Sequence, residues 1–203
     1  MRPPPDPIRL AGMAGLAGPP LFGVALLLLT YLQFDFMRSL GWDPVRAPAF
    51  DWPSGLALGP YGPAMTAAFL FASAGTIFFA YGLGLALPRR IGPALLGLAG
   101  LAMAGLAFTT DPTLRSTPAT WHGRLHDLSF AALGLALIPA MIFLGRTFRD
   151  DATWQDLALP TWVAAALSIP AFAFKGLGFY VFILAMLAWF EISAWRLLTA
   201  RAR

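Results

Sequence analysis

The chain has 203 residues, 58% of them apolar and 12% charged, with mean hydropathy +0.68 and a formal net charge of +4. A soluble domain carries about 25% charged residues, so half that share, together with apolar runs of roughly 20 residues, excludes an ordinary water-soluble domain and gives a membrane protein. There are no cysteines, which excludes disulfides, thiolate chemistry and cysteine metal sites, and the basic residues stand at span ends, where they indicate topology and anionic lipid contact rather than a nucleic-acid site.

Six spans follow in chain order, within one transmembrane domain covering residues 1–203. They are about Leu10–Gln33, Pro63–Leu87, Ile91–Phe108, Pro118–Phe148, Leu157–Phe174 and Gly178–Thr199. The expected fold is all-α: an integral membrane six-helix bundle, because inside lipid a segment must satisfy its own backbone hydrogen bonds. Arg2 and Arg9 before the first run resemble a signal peptide, but the run is too long for one and lacks a small-residue cleavage site, so the first span is expected to stay.

The first connection, Phe34 to Gly62, is long and aromatic. Phe36, Trp42, Phe50, Trp52 and Tyr61 alternate with Asp35, Arg38, Asp43, Arg46 and Asp51. Rings interleaved with charge suit the headgroup zone. The segment is expected to lie on the outer surface, either as an interfacial belt or as a lid over a site.

The second span carries Ala68, Ala72, Gly75 and Gly82 on one face, and the third carries Gly97, Gly100, Ala104 and Ala107. Such small-residue stripes let membrane helices approach closely. The Pro88-Arg89-Arg90 turn makes these two spans an antiparallel pair. Pro139 and Pro170 are expected to kink spans four and five, since each lacks a helix N–H.

Nine basic residues fall on one side (Arg2, Arg9, Arg89, Arg90, Arg146, Arg149, Arg196, Arg201 and Arg203). Five fall on the other (Arg38, Arg46, Arg115, Arg124 and Lys175). The positive-inside rule places the richer side, with both termini, in the cytoplasm of a cell-membrane protein.

The connection between spans three and four holds both histidines of the protein. With Thr117 as cap and Pro118 as first residue, His122, His126 and Ser129 fall on one helical face. Asp111 ends the third span on that side and Asp35 ends the first. These four residues, His122, His126, Asp111 and Asp35, are the candidate catalytic group. His122, His126 and Asp111 form a workable ligand set for one divalent metal ion such as zinc. They equally suit proton handling or general acid/base work, or plain hydrogen bonding to headgroups and loop carbonyls. The HExxH protease pattern is absent, since Gly123, Arg124 and Leu125 separate the histidines. Two histidines on one helix cannot be both axial ligands of one haem.

Asp127 turns away from the histidine stripe and is expected to pair with Arg124. Arg115 reads as a solvated loop arginine or a phosphate contact. Lys175 opens the sixth span and anchors at the headgroups or joins the polar cluster. Glu191, the one acidic residue of the last span, lies near Arg196 and is expected to snorkel or pair there.

Several features together resemble a multi-span family known as domain of unknown function 998. They are Pro53-Ser54-Gly55 and Gly59-Pro60, then Phe69 and Gly75, then Asp111-Pro112, Thr120 and His122-Gly123-x-x-His126-Asp127, with Gly176 and Trp189 at the end. The resemblance covers about residues 10 to 198 and implies a six-helix integral membrane protein in which the histidine element belongs to the family pattern. It implies no activity. Three functions compete on the residues alone. One is a protein that binds lipid, a partner protein or a second copy of itself within the membrane. The alternative is a metal-dependent hydrolase acting on lipid at the outer leaflet, with His122, His126 and Asp111 on the metal. The third is a proton-coupled transporter using the histidines and Glu191.

Overall fold

The computed structural model describes residues 6–114, 118–174 and 176–200, without the side chain of Ala173. Seven α-helices are present among the described residues: α1 (Pro7–Leu32), α2 (Phe34–Ser39), α3 (Gly62–Ala86), α4 (Ile91–Gly105), α5 (Trp121–Arg149), α6 (Ala158–Phe174) and α7 (Gly178–Thr199). Short 3-10 turns span Ser54–Leu58 and Gln155–Leu157. The expected six-helix count is therefore corrected to seven. The additional helix is the short α2, which takes up the start of the first connection.

The long helices lie close to the apolar runs. α1 starts at an Asp6 cap, whose carboxylate accepts the Ile8 N–H at 3.0 Å, and Pro7 supplies the fixed φ of a first helical residue. α1, α3, α5 and α7 are long and apolar enough to cross a membrane, with mean hydropathies of 1.8, 1.7, 2.2 and 1.7. α4 and α6 have 15 and 17 residues. Pro19 and Pro20 in α1, Pro139 in α5 and Pro170 in α6 all lie within continuous helix. The outward faces are oily: Leu27, Phe71, Leu135 and Leu184 are 72, 68, 77 and 67% exposed. A water-soluble monomer does not present such a continuous apolar girdle, so these faces are the lipid-facing side of a multi-pass helical bundle.

Each long helix packs on its neighbour in sequence, and α7 returns to pack on α1. The six thus form a closed ring. Close approach depends on glycine at the α1–α3 crossing, where a Cβ on Gly75 would sit 3.2 Å from both the Gly18 Cα and the Ala14 carbonyl oxygen. At the α3–α4 crossing Ser73 donates to the Gly100 carbonyl at 2.8 Å. Across α6 and α7, Trp189 Nε1 donates to Thr161 Oγ1 at 2.9 Å.

The first connection folds back onto one end of the ring. Trp42 and Trp52 are buried. Trp52 donates to Thr30 Oγ1 at 3.0 Å and meets the Tyr180 ring edge-on at 5.0 Å, bridging α1 and α7. Gln33, buried at the end of α1, donates to the Leu56 carbonyl at 3.1 Å and accepts from the Tyr61 N–H at 3.3 Å. The Trp52–Pro53 peptide is cis. At the opposite end Arg89 pairs with Asp150 at 2.5 Å, and Arg196 pairs with Asp156. Of the two expectations for Glu191, snorkelling or pairing beside Arg196, the pairing is corrected by that last contact. Positions five apart are well separated around a helix, whereas Asp156 approaches from the neighbouring connection and takes the guanidinium.

Candidate functional site

The site grows from the way α4 ends. Its last carbonyls have no intrahelical partner, and inside a membrane protein an unpaired carbonyl is costly. Three tight turns follow, with Leu106, Ala107 and Phe108 each donating three residues back. The carbonyls beyond are taken by the two histidines of α5. His126 Nδ1 lies 2.8 Å from the Phe108 oxygen and 3.1 Å from the Leu106 oxygen. His122 Nδ1 lies 2.7 Å from the Thr109 oxygen and 3.0 Å from Thr120 Oγ1.

Carbonyl oxygens only accept, so each Nδ1 carries the proton. In the neutral ring Nε2 is then a bare acceptor. For His126, which is 4% exposed, that acceptor faces Ser54 Oγ at 2.8 Å, and the serine hydroxyl donates. Ser54 belongs to the folded-back connection, so the bond ties that segment to α5.

Asp111 has a different task. Its Oδ2 accepts the Thr120 N–H and its Oδ1 accepts the Thr120 hydroxyl, both at 2.7 Å. Thr120 is the N-cap of α5, and its oxygen accepts the Gly123 N–H at 3.1 Å. A Cβ on Gly123 would fall inside the Asp111 carboxylate, so glycine is what lets this carboxylate approach the helix start. The two Thr120 hydrogen bonds hold the Asp111 carboxyl below its ordinary 3.8, assisted by the charges of His122 and Arg124 and opposed by partial desolvation. The expected start at Pro118 is corrected: α5 begins at Trp121, because Asp111 captures Thr120 in extended geometry, φ −76° and ψ 161°. The expected cap Thr117, with Arg115 and Lys175, lies outside the described residues.

The structure thus gathers His122, His126 and Asp111 where α4 ends and α5 begins. It does not bring in Asp35, which stands on the exposed face of α2. α1 packs on α3 and α7, away from the α4–α5 pair that holds the histidines. Among the described residues no group of three or more His, Asp or Glu side chains is arranged to hold a metal ion. Asp127 makes no ion pair with Arg124 among the described contacts and instead stands on the wall of the cavity beside His126.

That cavity is the interior of the ring. It has a volume of about 600 Å³, within the range of small-molecule sites. All six long helices line it: Phe22 of α1, Phe69 of α3, Met103 of α4, Phe130, Leu133 and Leu137 of α5, Phe172 of α6, and Phe179, Phe182, Met186 and Phe190 of α7. Most of its polar residues gather at one end, from the folded-back connection (Arg46, Asp51, Ser54), the α4–α5 connection (Thr110, Asp111, Thr113) and the top of α5 (His126, Asp127), while Thr76 of α3 lines it deeper in. From His126 to Leu137, or from Phe179 to Phe190, is eleven residues of helix, about 16 Å. The cavity therefore runs about half the thickness of a ~30 Å hydrocarbon layer.

Asp51 fixes the mouth. Its backbone is left-handed, φ 53°, a region open to Asp more than to most residues. Its carboxylate accepts the Thr113 N–H at 3.0 Å and the Thr113 hydroxyl. Sequence reading had no local signal for Ser54, Asp51 or Thr113 as site residues. Ser54 figured only in the Pro53-Ser54-Gly55 element, and its partner lies 72 residues away.

A family model described as "Protein of unknown function (DUF998)" matches residues 16–198, a span that contains the whole cavity wall. Neither a curated protein nor a solved structure matches the chain.

Proposed function

Since the chain belongs to the DUF998 family, whose description assigns no activity, we propose a function from the interior of the ring: it binds an amphiphile, with the apolar tail in the cavity and the polar head at the Ser54–His126 end. The observation that carries this reading is the polarity gradient of the cavity. Aromatic and aliphatic side chains, with the single hydroxyl of Thr76 among the described residues, line its depth, and the charged side chains, Ser54 and His126 converge at one end, the arrangement by which concave sites orient ligands.

The mouth also speaks to the head group. Among the described residues, Asp51, Asp111 and Asp127 bring three carboxylates to it and Arg46 one guanidinium. An uncharged or zwitterionic head, such as an acylglycerol or a fatty ester, suits a mouth lined by hydroxyls and by charges of both signs.

On this reading all six long helices cross the bilayer. α4 is extended by its tight turns to Phe108, and α6 is preceded by the turn Gln155–Leu157. Arg89, Arg90, Arg146, Arg149 and Arg196 lie at the end away from the mouth. By the positive-inside rule that end is cytoplasmic, and the mouth meets the outer leaflet of the cell membrane.

Leu133→Trp tests the binding. Leu133 is buried on the cavity wall, and the larger ring would fill the tail site. In detergent micelles, binding of a fluorescent monoacylglycerol should weaken at least tenfold while the variant still unfolds cooperatively. Unchanged binding in a folded variant would contradict an interior site.

A further inference from the structure

Resting on the interior amphiphile site, we propose that Ser54 and His126 are a nucleophile and its general base, which cleave a carboxylic ester held in the cavity by acyl transfer through the Ser54 hydroxyl. An activated serine needs a base within about 2.6–3.2 Å, and the base needs a third group to orient it. Both conditions are met. The Ser54 Oγ to His126 Nε2 separation is 2.8 Å, and the Leu106 and Phe108 carbonyls hold the opposite ring nitrogen.

Those carbonyls also fix the tautomer. With Nδ1 protonated, Nε2 is free to take the serine proton. The described hydrogen bonds give the Ser54 hydroxyl one partner, His126. Both residues line the cavity at its polar end, where an ester group would sit between tail and head.

In the first half-reaction Ser54 Oγ attacks the ester carbonyl carbon while His126 Nε2 takes the hydroxyl proton. The carbon–alkoxy bond then breaks and His126 returns that proton to the departing alcohol, leaving an acyl group on Ser54. In the second, water attacks the acyl carbon with His126 again taking the proton. The Ser54–acyl bond breaks, Ser54 regains the proton, and a free fatty acid is released. One ester and one water become one alcohol and one acid. Neutral carbonyls stabilise the imidazolium less than a hydrogen-bonded aspartate would, so turnover is expected to be slower than that of a charged triad.

The test uses the full chain in detergent micelles with an alkyl fluorophosphonate, and p-nitrophenyl decanoate as substrate. Mass spectrometry should find one adduct per chain, on Ser54. Ser54→Ala should abolish labelling and hydrolysis, and His126→Gln should slow both by about 100-fold or more, the usual range for loss of a general base. A non-hydrolysable glyceryl alkyl ether, titrated in parallel with thermal unfolding, reports the cavity and the fold. The proposal is overturned by absence of a Ser54 adduct in folded protein, or by an adduct forming equally fast in His126→Gln. Ether binding decides the amphiphile reading separately: ether bound without an adduct removes the chemistry and leaves the site, whereas an adduct without ether binding does the reverse.

Discussion

The hydroxyl of Ser54 lies 2.8 Å from Nε2 of His126 although 72 residues separate them in the chain. One hydrogen bond thereby closes the first connection onto the fourth long helix. The same histidine satisfies the carbonyls left over where α4 ends.

His126→Ala should therefore destabilise the fold as well as alter the site. It strands two carbonyls and a hydroxyl where α4 ends, and an unsatisfied buried group costs about 1–3 kcal/mol. Thermal unfolding in micelles should show the loss. His126→Gln, which can keep part of the bonding, should lose less.

The connection above the cavity should come apart only in strong acid. Asp43 accepts from the Arg46 and Val45 N–H groups and pairs with Arg38, and its carboxyl is thereby lowered from 3.8 to about 2. A lowered folded-state value means that the stabilisation is complete above pH 3.8 and is lost as pH falls through about 2. Trp42, beside Asp43 and bonded to the Pro48 carbonyl at 3.0 Å, is the reporter. Its emission should stay flat from neutral pH down to about pH 4 and change below it, and Asp43→Asn should remove the change.

Thr120→Ala removes the N-cap of α5, which is worth about 1 kcal/mol for a threonine cap. It also takes away the hydroxyl bound to Asp111. The Asp111 carboxyl should then titrate closer to its ordinary 3.8. Carbon-13 titration of the aspartate side chains would follow that rise, and a stability measurement would follow the cap.

Much of the frame was legible in the sequence, because membrane helices announce themselves as long apolar runs. α7 begins and ends at the expected residues, and α3 differs by one residue at each end. The start of α5 was not legible. Thr117-Pro118 carries the local chemistry of a helix start, but Thr120 takes the role because Asp111 reaches across the connection to hold it. No spacing rule registers a bond between residues on different segments. Ser54 was hidden for the same reason. The histidines were singled out by residue type, yet their nearest partners are carbonyls, which a sequence does not display as candidates. Asp35 stands apart from the histidines for a reason of neighbourhood: its helix follows α1, which closes the ring against α3 and α7.

The most direct measurement is photo-crosslinking with a monoacylglycerol that carries a diazirine midway along its acyl chain, in nanodiscs, with the modified residues read by mass spectrometry. Occupancy of the ring interior predicts adducts on Leu133, Phe182 and Met186, which line the cavity, and their loss in Leu133→Trp. Adducts confined to outward-facing residues such as Leu135 and Leu184 would mean that the lipid only surrounds the bundle and would contradict the account.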